Sequence, residues 1–298
     1  MTFKDKTARF FRRLTIRKGI TGVLAYVWLL VMVVIVMTPV LWLVSAAFTD
    51  ATSLEQVPII PKISEWSLAN YEDLFTYKST TSQVFPDYVR AFLTTLGIAS
   101  LNTVLVVIFS SLMGFSFSRY RFKGKKKVLL LMMALQMFPS FMGMLAIFMF
   151  FRQFGLLNNP VALTLIYVAG AIPYNTFIVR GFMRNIPKSL DEAAFIDGAS
   201  NLQTLTKVII PLAVPIMGFI AVNAFMAPWL DYILPSVVMP QRDTVAIWLF
   251  RYMDPRVSTY NPIKFMSGAL FLAVPIMLVQ IYMQKYLIYG LTSGADKG

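Results

Sequence analysis

The chain has 298 residues, of which 57% are hydrophobic, and it carries a formal net charge of +13. It contains neither cysteine nor histidine, so disulfides, thiolate chemistry and the commonest metal ligands are excluded. The mean hydropathy of +0.67 is too high for a soluble domain, which needs a far more polar surface. Composition therefore predicts an integral membrane protein with no cofactor and no metal site.

Long apolar blocks follow one another along the chain, and a span needs ~20 mostly apolar residues to cross ~30 Å of hydrocarbon. Six spans are predicted: Ile20–Phe48, Phe92–Ser118, Val128–Phe151, Asn159–Phe182, Val208–Val238 and Ile263–Gly290. The expected fold class is therefore all-α, with six transmembrane helices.

Lys and Arg are distributed unevenly between the segments that flank these spans, which sets the orientation. Seven precede Ile20, six lie in the short loop Arg119–Lys127, and three accompany six acidic residues in the first loop, 49–91. Both termini are therefore predicted to be cytoplasmic. The net charge then reflects topology and anionic lipid headgroups, so no nucleic-acid partner is expected. The segment Thr7–Lys18 fits either a helix on the membrane surface or a disordered basic tail.

The loop 183–207 between the fourth and fifth spans is long for a connection and carries helix signals. Two capping boxes are predicted, Ser189 with Glu192 and Ser200 with Gln203. Gly198 supplies the positive φ that ends the first helix, and Pro211 marks the start of the fifth span. The pattern predicts a helix, a glycine turn and a second helix on the cytoplasmic face.

The first helix of this loop and the turn after it are unusually apolar for an exposed segment, with residues Ala193, Ala194, Phe195, Ile196 and Ala199. A well-capped surface helix pair is one interpretation. A short helix that docks in a groove of another protein is the other.

These residues resemble a known motif. Glu192-Ala193-Ala194, Gly198 and the segment Val208–Pro211 follow the E-A-A-x3-G-x9-I-x-L-P pattern of the permeases of ATP-binding-cassette importers, with Val208 and Ile210 as mild departures. The resemblance implies that the loop fits a cleft in a separate ATPase subunit. Glu192 would face the ATPase, Ala193 and Ala194 would allow close approach, and Gly198 would make the turn.

Two further segments resemble the carbohydrate-uptake branch of that family, of the maltose/maltodextrin type. They are Gln136–Pro139 in the third span and the C-terminal residues Gly290, Leu291, Thr292, Gly294, Lys297 and Gly298. The resemblance implies that the tail, through Thr292, Gly294 and Lys297, reaches the ATPase subunits. It also implies that Met253, Asp254 and Pro255 contact a sugar-binding protein, although a plain polar hairpin fits the loop 241–262 equally well.

The resemblance implies a type I importer permease fold in a bacterial cytoplasmic membrane. Its parts would be a basic segment (1–19), a first span with its outer loop (20–91), a permease core (92–290) and a cytoplasmic tail (291–298). The expected partners are a homologous permease in a heterodimer, two ATPase subunits, an extracellular or periplasmic sugar-binding protein and the lipid bilayer.

No G-x4-G-K-[ST] phosphate loop occurs in the chain, so ATP hydrolysis is assigned to the partner subunits and the chain itself is not an enzyme. The implied cargo is an oligosaccharide of the maltose/maltodextrin type. The alternatives are another oligosaccharide or a polyol, or an ion-coupled secondary carrier, which would need a carboxylate near the midplane.

Few residues within the spans point to a cargo. Tyr174, Trp229 and Tyr232 are candidates for a substrate path because aromatic rings stack on sugars, but packing explains them as well. Asp231 and Arg180 are expected near the ends of their helices, where they would anchor the spans at the membrane interfaces.

Overall fold

The computed structural model describes residues 3–51, 53–79 and 84–292, and it describes side chains within 22–284 except at positions 63, 140 and 141. Within these ranges all the regular secondary structure is helical, apart from one isolated antiparallel bridge between Thr49 and Trp66. The chain forms two compact units. One comprises the residues up to Asp73 together with Asn261–Leu270, and the other comprises Leu74–Tyr260 with the residues from Phe271 onward.

The helices follow one another with short connections. Their bounds are α1 Phe3–Phe48, α2 Ala69–Thr76, α3 Asp87–Arg119, α4 Lys125–Gln136, α5 Ser140–Gln153, α6 Pro160–Met183, α7 Ser189–Ile196, α8 Asn201–Gln203, α9 Ile210–Leu230, α10 Ile233–Val238, α11 Val245–Met253 and α12 Pro262–Thr292. A π-helical segment, Thr204–Ile209, joins α8 to α9, and two 3-10 turns, Leu54–Gln56 and Ile63–Glu65, precede α2.

Five helical segments of the described chain are long and apolar enough to cross a membrane. They are Gly22–Phe48, Asp87–Arg119, Pro160–Met183, Asn201–Leu230 and Pro262–Gln284. They agree with the predicted spans one, two, four, five and six. The first is continuous with the basic segment before it, because α1 begins at Phe3.

The predicted third span, Val128–Phe151, consists of two helices instead of one kinked helix. α4 ends at Gln136, and α5 begins at Ser140 after Pro139, whose backbone is extended with ψ 118°. Proline has no N–H to donate and disfavours helical geometry in the residue before it, so the helix breaks here. The predicted fifth span is also too long, because α9 ends at Leu230 and a separate helix, α10, follows.

The first unit folds around the C-terminal end of α1. Asn70 Nδ2 donates to the carbonyl oxygens of Ala46, Ala47 and Thr49, the last at 2.9 Å. Ala46, Val57 and Ile263 form a small buried core. The described residues between 49 and 73 therefore fold onto the end of α1, and Lys264 Nζ lies 2.6 Å from Asp73 Oδ2.

In the second unit, α3 packs closely against α6 and α9. A Cβ at Gly114 of α3 would lie 2.5 Å from Val179 Cγ1 of α6, so the two backbones approach where no side chain fits. Asn102 of α3 donates from Nδ2 to Ala224 O of α9 at 2.7 Å. One hydrophobic cluster of this unit is buried where these helices end: Phe115, Val179, Met183, Ile186, Leu205, Ile209, Ala213, Ile216, Met217 and Ile220.

Candidate functional site

The loop 183–207 has the predicted helix–glycine–helix form. Its first helix, α7, ends at Ile196, and Gly198 follows with φ +82°. The second predicted capping box is confirmed: Gln203 N donates to Ser200 Oγ at 3.3 Å, and Ser200 N donates to Gln203 Oε1 at 2.8 Å. The glycine and the capping box together fix the turn between the two helices.

The first predicted capping box is wrong. Ser189 is the first residue inside α7, and the N-cap is Lys188, which has helical backbone angles and makes no side-chain cap bond. Helical geometry begins one residue earlier than the sequence indicates, because the N–H groups of Asp191 and Glu192 already donate to Lys188 O. Glu192 is therefore not needed as a cap.

The second helix of the loop continues without interruption into the fifth span. Asn201–Gln203, the π-helical segment Thr204–Ile209 and α9 form one helical run to Leu230. Pro211 lies in the first turn of α9, as predicted. The wider π turn before it accommodates the proline ring, so the helical run is not broken at this point.

One face of α7 is exposed. Glu192 and Ala193 are exposed, Phe195 has 47% of its surface exposed and Ile196 has 86%. Ala194 is an exception to the predicted exposed set, because it is buried at 8% exposure against the rest of the loop. An acidic residue thus lies beside an apolar patch that no described part of the second unit covers.

The inner side of α7 is fixed by a residue that the sequence analysis counted only as part of a basic loop. Arg119, at the end of α3, lies with its Nε 2.5 Å from Asp191 Oδ2, and the two side chains are only 7% and 10% exposed. Its other nitrogens donate to Met183 O at 3.0 Å and Ile186 O at 3.2 Å. The paired charge and the carbonyl acceptors together compensate for its burial. Sequence gave no signal that Arg119 differs from its basic neighbours.

Of the three aromatic residues proposed for a substrate path, one lines a cavity. Tyr174 is 57% exposed and borders a cavity of about 260 Å³ between α3, α6 and α9. Trp229 is instead buried against Phe92, with ring centroids 5.2 Å apart, and Tyr232 stacks on Phe250 at 4.1 Å. The rings of Trp229 and Tyr232 therefore have packing contacts within the second unit.

The cavity beside Tyr174 is lined by amide side chains that sequence reasoning did not single out. They are Asn102, Gln136, Asn175 and Asn223, with Tyr167 nearby. The Oδ1 atoms of Asn102 and Asn175 are buried and have no hydrogen-bond partner among the described residues. Leaving a buried acceptor unpaired is costly, and neither oxygen is accessible from the cavity as the side chains stand.

Asp231 and Arg180 have structural partners near helix ends. Asp231 Oδ1 accepts from the backbone N–H of Ile233 at 2.9 Å, and Oδ2 accepts from Tyr167 Oη at 2.9 Å, so it caps α10. Arg180 Nε donates to Phe117 O at 3.3 Å. Both lie at or near the ends of their helices, as predicted.

The loop 241–262 is not a polar hairpin, because it contains the helix α11 with Trp248 and Tyr252 buried. Met253 ends this helix and is 55% exposed. Asp254 makes a bidentate ion pair with Arg256, with oxygen–nitrogen distances of 2.8 and 2.9 Å. Hydrogen bonds from Arg256 lower the pKa of Asp254. Pro255 follows it, exposed.

The predicted ATPase-contacting tail lies at and beyond the last described residue. Thr292 is the last helical residue of α12, and its side chain is not described. Gly294 and Lys297 lie outside the described residues.

Known proteins resemble the chain over nearly its whole length. The galactooligosaccharides transport system permease protein GanQ of Bacillus subtilis strain 168 is 34% identical over 95% of this chain and 98% of its own. The maltodextrin transport system permease protein MdxG of the same strain is 32% identical over 92% and 95%. A bacterial ABC transporter of known structure, involved in the import of the polysaccharide alginate, superposes with a TM-score of 0.70, 20% identity and coverage of 91% and 97%.

The helical fold and these relatives define the class, a membrane-embedded subunit of a transport system. The family described as "Binding-protein-dependent transport system inner membrane component" matches residues 106–288, and the chain belongs to this family. The resemblance to carbohydrate-importer permeases of the maltodextrin type is thereby confirmed, and the structural likeness agrees with the predicted permease fold.

Proposed function

We propose that the chain is the pore-forming permease subunit of an ATP-binding-cassette importer that moves an oligosaccharide into the cell by alternating access. The observation that carries this proposal is the loop 183–207. It presents Glu192 and the apolar residues Phe195 and Ile196 outward, while Arg119 fixes its inner side. A short, rigidly held helix with an uncovered apolar face is suited to a groove in a partner protein.

In this proposal the chain crosses the membrane six times, with both termini cytoplasmic. α4 and α5 have 12 and 14 residues, which corresponds to about 18 Å and about 21 Å of helix. Each is too short to cross the hydrocarbon alone, and together they make the third crossing. The parts of the chain are those expected from the sequence: the segment 1–19, the first span and loop 20–91, the core 92–290 and the tail 291–298.

The proposed source of energy is a pair of separate ATPase subunits. When the ATPase subunits close, the movement would be transmitted to α9 by the loop residues Glu192, Ala193, Ala194, Gly198 and Pro211. The tail would add a further contact with the ATPase subunits through Thr292, Gly294 and Lys297. A second, homologous permease would complete the pore. An extracellular or periplasmic sugar-binding protein would deliver the cargo to the loop that contains Met253, Asp254 and Pro255.

The proposed cargo is a maltodextrin-type oligosaccharide, and a galactooligosaccharide is the second candidate because of the likeness to GanQ. The cavity beside Tyr174 supports a sugar in either case. Its amides offer hydrogen bonds to hydroxyl groups, and the tyrosine offers a ring for stacking.

Co-purification and transport test the proposal together. The chain is expressed with candidate ATPase, permease and binding-protein subunits from the same cell, and the complex is reconstituted in vesicles with and without internal ATP. We expect the ATPase to co-purify and oligosaccharide uptake to require ATP. Uptake that persists without ATP and follows an ion gradient would instead establish the carrier alternative.

Glu192→Gln separates docking from folding, because glutamine keeps the size and helix propensity of the residue and removes its charge. We expect normal expression with reduced ATP-driven uptake. Asp197→Asn is the matched control, since Asp197 is an exposed acid on the same loop.

A further inference from the structure

The loop between α3 and α4 borders a second, larger cavity of about 640 Å³, which the proposed transport function does not use. We call it the basic pocket. Its cationic lining residues are Arg121, Lys125, Lys126, Lys127 and Arg180. Phe122, Leu129 and Leu130 supply an apolar wall. No acidic side chain lines it.

The positive charge of the basic pocket is not neutralised within the described chain. Arg180 donates from Nε to Phe117 O, and Lys125 donates from Nζ to Tyr120 O at 2.9 Å; both acceptors are neutral carbonyls. None of the five cations forms an ion pair among the described residues. Like charges held this close repel one another, so a bound anion would be stabilised.

The titration of Lys125 agrees with this crowding. Partial burial, followed by the nearby charges of Arg180, Arg184, Lys188 and Arg121, lowers the pKa of its ammonium group. Gly124, with φ +86°, turns the chain so that Lys125 opens α4, and no side chain caps this helix. The first turn of α4 therefore adds its own partial positive charge to the pocket.

The apolar wall continues beyond the cavity along α4. Leu130, Leu131, Met133 and Leu135 are each more than half exposed. A free phosphate ion would use only the cationic end of this surface. A molecule with a phosphate at one end and a hydrocarbon chain at the other matches its full length.

We propose that the basic pocket binds the phosphate headgroup of an anionic phospholipid, with an acyl chain lying along α4. The inference rests on the proposed orientation, which places the loop 119–127 at the cytoplasmic face, where anionic lipid is available. It goes beyond the general attraction of basic loops to membranes, because it assigns a particular pocket and a particular helix surface.

Photolabelling in the assembled importer tests this site. The complex is placed in phosphatidylcholine nanodiscs that contain a trace of phosphatidylglycerol with a photoactivatable diazirine on one acyl chain, and labelled peptides are identified by mass spectrometry. We expect labelling of residues 128–135. Arg121→Gln/Lys125→Gln should reduce it about thirtyfold, since two basic residues that each contribute on the order of 1 kcal/mol near a membrane surface are removed.

The matched control is Lys123→Gln/Lys207→Gln, which removes the same charge. Lys123 belongs to the same loop but does not line the pocket, and Lys207 lies on the exposed side of the π-helical segment. This variant should retain the labelling. The assay needs neither transport nor ATP hydrolysis, so its result is independent of whether the chain imports a sugar.

Four results would overturn the proposal. Equal loss in both double variants would mean diffuse attraction, and equal labelling by diazirine phosphatidylcholine would mean no selectivity for anionic lipid. Complete competition by soluble glycerol phosphate would indicate a site for free phosphate. Labelling of the isolated chain but not of the complex would mean that a partner subunit covers the pocket.

Discussion

Arg119 and Asp191 form a nearly buried ion pair between the end of α3 and the first turn of α7, with 2.5 Å between Nε and Oδ2. The same guanidinium donates to the carbonyl oxygen of Met183, at the end of α6, and to that of Ile186, just beyond it. One side chain therefore joins α3 and the end of α6 to the loop 183–207, which we call the coupling loop after its proposed role. The contact between the two charges is short and shielded from water.

This pair leads to the first prediction. Asp191→Asn leaves the Arg119 charge buried without its counter-ion, which should lower the free energy of unfolding by about 3 kcal/mol. Asp197→Asn, at an exposed acid of the same loop, should change it little. Thermal unfolding of the detergent-solubilised protein measures both, and equal midpoints for the two variants would contradict the role given to Arg119.

The two serines of the coupling loop give a second prediction. Ser200→Ala removes a capping hydroxyl and should cost about 1 kcal/mol of stability. Ser189→Ala should cost almost nothing, since Ser189 lies inside α7 and its hydroxyl makes no cap bond. The same unfolding assay compares the variants. If Ser189→Ala lowers the free energy of unfolding more than Ser200→Ala does, Ser189 is the N-cap of α7, as the sequence pattern indicates.

Two glycines of α3 should respond to alanine with opposite signs. At Gly114 an added Cβ would lie 2.5 Å from Val179 Cγ1, so Gly114→Ala should destabilise the packing of α3 against α6. A Cβ added at Gly97 would have no neighbouring heavy atom within 4 Å, so Gly97→Ala should stabilise the helix by roughly 0.5–1 kcal/mol. Adding Val179→Ala to Gly114→Ala should recover part of the loss. If Gly114→Ala and Gly97→Ala both raise the melting temperature, or both lower it, this description of the packing is wrong.

A fourth prediction concerns the cavity between α3, α6 and α9. Tyr174→Ala should raise the KM for oligosaccharide uptake about fivefold, because a stacking surface worth about 1 kcal/mol is removed. Tyr232→Ala should act mainly on stability, since its ring stacks on Phe250. Uptake kinetics in reconstituted vesicles distinguish the two. An unchanged KM for Tyr174→Ala would remove this cavity from the substrate path.

Local patterns in the sequence were sufficient for much of this fold. The lengths of the apolar runs were enough to locate five helices that can cross a membrane. Gly198 and the second capping box were enough to locate the turn of the coupling loop. These features depend on residues close together in the chain. The break at Pro139 has an equally local cause, but a proline inside an apolar run also fits a kinked continuous helix, and the sequence does not separate the two.

The features that the sequence did not reveal depend on residues far apart in the chain. Arg119 and Asp191 are 72 positions apart, and a basic loop residue looks the same whether it faces solvent or a buried carboxylate. The amides of the cavity come from α3, α4, α6 and α9 and become a group only when those helices pack. The rings of Tyr174 and Trp229 are equally able to stack on a sugar, and only their burial in the folded chain shows that Tyr174 is exposed and Trp229 is not.

The central claim is that α7 is the surface on which a separate ATPase docks, and site-specific crosslinking tests it most directly. The chain has no native cysteine, so Ile196→Cys provides a unique thiol for a photoactivatable maleimide in the assembled importer. Tyr260→Cys, at an exposed residue of the proposed outer side, is the control. We expect an adduct with the ATPase subunit from position 196 and none from position 260. Absence of an ATPase adduct at position 196 in an active complex would contradict it.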